Sequence, residues 1–212
     1  MTEEQLPEAD IDLSRHVSNN VAWHPSQVVM SDRRRLLRQE PATVWLTGLS
    51  GAGKSTIAFE LERRLMEHGH LAFVLDGDNV RHGLNRDLGF SHLDRTENIR
   101  RIAEVAKLFN DAGLVVITAF ISPYAQDRAM ARKIIGEERF IETHLCAAIS
   151  VCEERDPKGL YRQARAGTIC DFTGISAPYE APDRAELSLD TGRLTVEESV
   201  TKIVGALAKR FR

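Results

Sequence analysis

Gly48-Leu49-Ser50-Gly51-Ala52-Gly53-Lys54-Ser55 satisfies the pattern G-x-x-x-x-G-K-[ST], and it stands between an apolar run, Val44 to Thr47, and a segment of helical periodicity. Strand, glycine-rich turn and helix in that order make a phosphate cradle. Glycines let backbone N–H groups converge on a β-phosphate at a helix N-terminus, Lys54 reaches the β and γ oxygens, and the Ser55 hydroxyl is placed for Mg²⁺. A glycine turn with an exposed lysine would not need a strand before it and a helix after it.

Working outward, Ile57, Leu61 and Leu65 recur every four residues, which predicts a helix to about His68 with Gly69 as its left-handed C-cap. Leu71 to Leu75 reads as the second strand. Asp94-x-x-Glu97 resembles a capping box, and Ile99, Ala103 and Ala106 give the following helix an apolar stripe that ends before Gly113. Leu114 to Ile121 is a nearly continuous apolar run, as for a central strand buried on both faces. Leu145 to Val151 and Glu186 to Leu189 are further expected strands, and Thr195-x-x-Glu198 opens a last helix carrying Val200, Ile203, Val204 and Leu207 on one face. Strands alternating with amphipathic helices predict an α/β fold: a P-loop, three-layer α/β/α sandwich with a mainly parallel central sheet.

Residues 1–40 have weak periodicity, Pro25 and the basic run Arg33-Arg34-Arg35, and read as an N-terminal extension with one short helix that Ser31 caps and Pro41 follows. Trp23 and His24 are expected to pack on the domain, which occupies residues 41–212.

The chain has 212 residues, 42% hydrophobic and 28% charged, with a formal charge of -3, so it suits one globular domain with no bulk attraction to nucleic acid or an anionic membrane. The longest apolar run is far below the roughly 18 residues that cross a bilayer, and the N-terminus lacks a secretory pattern; a cytoplasmic location is expected. Three cysteines, Cys146, Cys152 and Cys170, have no metal-like spacing and an odd count, and are read as reduced.

A P-loop alone does not choose among kinases, GTPases and motors. No Asn-Lys-x-Asp guanine-reading motif occurs, and the third strand ends Val-Ile-Thr-Ala-Phe without an acidic residue. The carboxylates come instead after the second strand, in Asp76-Gly77-Asp78, at the same rim of the sheet as the P-loop. Asp78 there either accepts a substrate hydroxyl proton, holds Mg²⁺ directly or through water, or caps the next helix. Arg81, Arg86, Arg95, Arg100 and Arg101 follow, more guanidinium than a solvated loop needs, and match an anionic substrate. Phe90 in a polar loop suits base stacking or loop anchoring; Ser122, before Pro123 at the end of the third strand, suits a turn or a substrate contact. Residues 153–175 carry Arg155, Lys158, Arg162 and Arg165 and read as a cationic lid that excludes water, or as a solvated helix.

Together Gly48 to Thr56, Leu75 to Leu84, Asp87 to Phe90, Glu97 to Arg101, Thr118 to Pro123, Arg155 to Tyr161, Phe172 to Ile175 and Tyr179 to Pro182 resemble the adenylylsulfate (APS) kinases. The resemblance implies transfer of the γ-phosphate of MgATP to the 3′-hydroxyl of APS, giving PAPS and ADP in sulfate assimilation. It implies Asp78, Lys54 and Ser122 as catalytic residues, Ser122 matching a serine described as a phosphoserine, although in-line transfer needs no phosphoenzyme. ATP would lie on Gly48, Leu49, Ser50, Gly51, Ala52, Gly53, Lys54, Ser55, Thr56 and Arg155. APS would lie on Asp76, Arg81, Phe90, Arg95, Asn98, Ile121, Ser122, Lys158, Leu160 and Phe172, and Mg²⁺ on Ser55 and Asp78. A homodimer and an association with ATP sulfurylase are also implied. Cys146-Ala147-Ala148, where Asp-Thr-Pro is usual, and Thr168-Ile169-Cys170-Asp171 in the lid depart from the pattern. A P-loop kinase of another small hydroxyl substrate, or a non-catalytic nucleotide-binding module of a sulfate-activation complex, are the competing readings.

Overall fold

The computed structural model describes residues 20–22 and 24–210. Trp23 lies outside them, and His24 is exposed rather than packed on the domain. Five parallel strands, β1 (Ala42–Thr47), β2 (Ala72–Asp76), β3 (Val115–Ala119), β4 (Phe140–Leu145) and β5 (Leu187–Leu189), form one sheet in the order β2-β3-β1-β4-β5. The first strand is therefore central, and each crossover is made by helices: α2 (Lys54–Glu67), α3 (His92–Asp111), α4 (Ala125–Ile135), α5 (Ile149–Arg155) and α6 (Leu160–Arg165), with α1 (Met30–Leu37) before the sheet and α7 (Val196–Arg210) after it.

Every residue of β1 is buried, and its alternation divides the core in two. Val44 and Leu46 pack with Ile57, Leu61 and Leu65 of α2 and Val200, Ile203 and Leu207 of α7. Trp45 points the other way, into Ile99, Ile102 and Ala106 of α3 and Ile134 of α4, with Phe120 and Phe140 stacked on its indole at 6.2 and 5.4 Å. At roughly 1.5–3 kcal/mol for each large side chain removed from water, these two layers dominate the favourable side of folding.

Local boundaries depart from the sequence reading where a neighbouring residue caps better. The helix after the acidic loop begins at His92, because the Ser91 hydroxyl accepts the Asp94 N–H at 3.2 Å and donates to its carboxylate at 2.8 Å; Glu97 instead pairs with Arg100 and Arg101. Helix α1 is capped by Asp32, whose carboxylate accepts the Val29 N–H at 3.2 Å, so Ser31 is inside the helix and not its cap. The expected strand Leu145–Val151 is displaced. Strand β4 ends at Leu145 and α5 starts at Ile149, since Glu142 and His144 hide the strand pattern while Glu142 is neutralised by Arg128 of α4, a helix the periodicity did not reveal. The capping box of α7 forms as expected, with the Thr195 N–H donating to Glu198 at 2.8 Å. The three cysteines are free thiols, and among the described residues no helix is long and apolar enough to cross a membrane.

Candidate active site

The carboxyl ends of β1, β2 and β3 open onto one cleft of about 1000 Å³. Its floor is the glycine-rich turn between β1 and α2. Gly51 holds φ +75°, and a Cβ there would stand 2.8 Å from the Cys152 carbonyl; a Cβ on Gly48, at φ +151°, would meet the Leu145 carbonyl at 2.7 Å. The loop is thus wedged against β4 and α5, and both glycines are required by close approach as well as by φ.

Lys54 opens α2 and folds its ammonium back onto the Gly48 and Leu49 carbonyls at 2.8 and 2.7 Å. Burial pushes it down to about 8, against the opposing pull of Cys152, Asp76 and Asp78. Ser55 donates to one oxygen of the buried Asp76 at 2.6 Å, and the other oxygen accepts the Asp78 and Asn79 N–H groups at 3.0 and 3.3 Å. The sequence reading grouped Asp76 with the acceptor residues; its side chain faces Ser55 and ties the P-loop to the turn that presents Asp78. Asp78 itself is exposed and ion-paired with Lys158, which stands in the loop between α5 and α6.

The opposite wall is cationic. Phe90 is 65% exposed, with the Arg81 guanidinium 4.3 Å and the Arg95 guanidinium 6.0 Å from its ring centre. Arg81 is anchored by the Leu88 and Gly89 carbonyls at 2.8 and 3.0 Å; burial and the Arg95 charge push its pKa down. Arg95 donates to the Phe90 carbonyl at 2.9 Å and crosses to the segment after α6, reaching the Asp171 carbonyl at 2.7 Å and the Thr173 hydroxyl at 3.0 Å. An exposed aromatic face backed by two guanidinium groups is a stacking platform suited to a flat ligand. Asn98 joins this wall, its amide oxygen accepting from the buried Asn85 at 2.8 Å.

Ser122 behaves differently from a free hydroxyl. Its φ is +41°, only 2% of it is exposed, and its Oγ accepts the Trp45 indole N–H at 3.2 Å. The structure gives it the part of a buried turn at the end of β3, beside Ile121.

Residues between Arg155 and Thr173 form the roof. Tyr161 donates to the Ser50 carbonyl at 3.0 Å, burial raising its phenol's pKa, and Phe172 packs edge-on to Tyr161 with ring centres 5.0 Å apart. Arg155 donates to the Gly51 and Thr191 carbonyls at 3.3 and 2.6 Å, while Thr191 donates to the Ala52 carbonyl at 2.8 Å. Leu160 and Lys158 also line the cleft; Arg165 is instead paired with Glu153 outside it. Of the residues that the family resemblance assigned to ATP, adenylyl sulfate and Mg²⁺, only Gly48 and Leu49 are absent from the wall, the first facing Leu145 and the second Gly174. The other cations read as anion-binding or lid residues, Arg86, Arg100, Arg101, Arg162 and Arg165, are also absent from it, Arg100 pairing with Glu97 and Arg101 with Glu97 and Asp87. Thr191, Leu194 and Val196, at the β5–α7 junction, line it unannounced, as do Ile169 and Cys170. The capping box at Thr195 located that junction in sequence but carried no sign that it turned towards the P-loop.

The donor set suits Mg²⁺: a hydroxyl and two carboxylates, hard oxygen ligands beside a phosphate cradle. The arrangement can therefore hold a nucleoside triphosphate at the glycine-rich turn and a flat, anionic molecule at Phe90, with Asp78 on the shared rim.

A family model described as adenylylsulphate kinase matches residues 40–190. An adenylyl-sulfate kinase of Clostridium acetobutylicum is 52% identical over 187 residues, 88% of this chain and 93% of its own length. Another, from Marinobacter nauticus, is 53% identical over 192 residues, 91% of this chain and 96% of its own. Among solved structures, the APS kinase CysC of Mycobacterium tuberculosis in complex with AMPPNP and APS superposes with a TM-score of 0.78 at 48% identity, covering 80% of this chain and 99% of that one.

Proposed function

This chain belongs to the adenylylsulphate kinase family, and from that premise we propose how its residues carry the γ-phosphate of ATP to the 3′-hydroxyl of adenylyl sulfate. The enzyme is an ATP-dependent kinase that makes PAPS and ADP. The observation that carries the assignment of roles is the two-ended cleft, with a complete P-loop at one end and Phe90, clamped by Arg81 and Arg95, at the other.

The N–H groups of Gly51 to Thr56 bind the β-phosphate and Lys54 the β and γ oxygens. Arg155, Thr191, Leu194 and Val196 receive the ATP base. Mg²⁺ would be held by Ser55, with Asp76 and Asp78 through water, and when bound it neutralises charge on the phosphate oxygens. The adenine of adenylyl sulfate stacks on Phe90, with Phe172 on the lid side, while Arg81, Arg95, Asn98 and Lys158 bind its phosphosulfate and Ile121 borders it. Asp78 accepts the proton of the 3′-hydroxyl as the oxygen attacks in line, which requires Lys158 to release it towards the substrate anion. Ser122 shapes the rim and is not phosphorylated in this scheme, since in-line transfer needs no phosphoenzyme and its side chain is buried against Trp45. Closure of residues 153–175 excludes water and suppresses ATP hydrolysis.

A coupled assay of ADP release with and without adenylyl sulfate tests the reading. Turnover that depends on adenylyl sulfate supports it; turnover equal in its absence, or supported as well by unrelated hydroxyl substrates such as shikimate or gluconate, refutes it.

A further inference from the structure

Arg128 is a buried cation that takes no part in the scheme above. It lies on α4, 3% exposed, and each edge of its guanidinium is spent on a different segment. Nε donates to Glu142 of β4 at 2.7 Å, Nη1 to the Ser122 carbonyl at 2.8 Å, and Nη2 to the Glu180 carbonyl at 2.7 Å. Glu180 belongs to the segment returning from the roof, and it is stapled to the same rim twice more. Its N–H donates to the Pro123 carbonyl at 2.8 Å, and its carboxylate accepts the Ala125 N–H at 2.6 Å. Next to it the Tyr179 hydroxyl meets Thr47 Oγ1 at 3.0 Å, and Thr47 donates to the Ile121 carbonyl at 2.7 Å. Ser122 sits in the middle of these bonds at φ +41°, a conformation a serine keeps only when its surroundings enforce it.

We propose that Arg128 is a positioning residue for the acceptor substrate: by joining the Ser122 and Glu180 carbonyls to Glu142, it holds the Ile121–Ser122 rim and the root of the roof in one geometry. The inference rests on the reading of the cleft as an adenylyl sulfate site. A planar fork is needed because three acceptors lie around one point, and a lysine ammonium in the same place cannot span them. None of these bonds reaches residues 50–56 of the P-loop, so loss of the fork loosens the acceptor side while the ATP cradle keeps its own supports from Tyr161, Arg155 and Thr191. A buried ion pair that served stability alone would show no such asymmetry.

The test is the split between the two Michaelis constants in Arg128→Lys, with a thermal melt to establish that the protein is folded. The expected result is a KM for adenylyl sulfate raised about tenfold, given that misplacements of about 1 Å cost up to about 10²-fold, and a KM for ATP within about twofold of wild type. Both constants rising together, or neither moving in a folded variant, overturns the proposal. Should Arg128→Lys not fold, Glu142→Gln carries the same test, because the amide oxygen keeps the Nε–H acceptor but removes the charge that aims the fork. A selective rise of about threefold in the adenylyl sulfate KM is expected there, and an unchanged KM overturns the proposal. Wild-type protein without adenylyl sulfate-dependent turnover would remove the functional reading and this inference together; wild-type turnover with an unselective variant removes the inference alone.

Discussion

Raising the pH through 8 should weaken nucleotide binding, and the size of the effect follows from Lys54. Its ammonium is buried against the Gly48 and Leu49 carbonyls and its pKa is lowered from 10.5 to about 8. A polyphosphate brings several negative charges to the same place and favours the protonated form, so binding above pH 8 takes up a proton. With half-protonation at about pH 8, the ammonium fraction is roughly 0.9 at pH 7 and roughly 0.1 at pH 9, and affinity should fall about tenfold between them. The terminal phosphate, with a second pKa near ~6, is already ionised over that range and contributes little. Titration calorimetry with a non-hydrolysable ATP analogue, in two buffers of different ionisation enthalpy, measures both quantities: a rising Kd above pH 8 and uptake of nearly one proton at pH 9. A Kd that is flat from pH 7 to 9.5, or proton release, would refute the argument. Lys54→Arg provides the control, since a guanidinium does not titrate there and its pH dependence should vanish. The stability of the nucleotide-free protein runs in the opposite sense. A base whose folded pKa lies below its unfolded value binds more protons when unfolded, so stability rises as the pH climbs from about 8 towards 10.5.

Three further outcomes are expected. Asp78→Asn should lower kcat by about 10²- to 10⁴-fold while the ATP dissociation constant stays within about threefold, because the carboxylate acts on the acceptor proton and would reach Mg²⁺ only through water; single-turnover kinetics separates the two. Phe90→Ala should raise the KM for adenylyl sulfate about fivefold or more through loss of the cation-backed stacking face, with little change for ATP in the same assay. Gly51→Ala should abolish measurable nucleotide binding by calorimetry, since its Cβ would stand 2.8 Å from the Cys152 carbonyl at a φ of +75°, whereas Gly205→Ala, with open space around it, should bind normally.

Much of this molecule was legible in its sequence for a physical reason: local patterns report local structure. The glycines and the Lys54-Ser55 pair of the P-loop are demanded by a backbone that must turn tightly and approach a phosphate, so eight consecutive positions specify that element without help from the rest of the chain. The period of Ile57, Leu61 and Leu65 and the apolar run at Leu114 likewise placed a helix and a buried strand. Strand β4 was mislaid because its polar residues are satisfied by partners distant in sequence. Glu142 looks like a surface residue until Arg128, on a helix 14 positions earlier, is brought against it. The same holds at the site. Asp76 and Ser55 are 21 positions apart, Trp45 and Ser122 are 77, and Ala52 and Thr191 are 139. By itself the sequence specified a phosphate-cradling turn after β1 and, through the resemblance carried by the Asp76 to Phe90 run, the expected class of acceptor. Only the tertiary structure decided that Asp76 bonds Ser55 of the P-loop, that the Ser122 side chain is buried against an indole, and that the last helix walls the cleft, because long-range pairing is set by how the layers stack on the sheet.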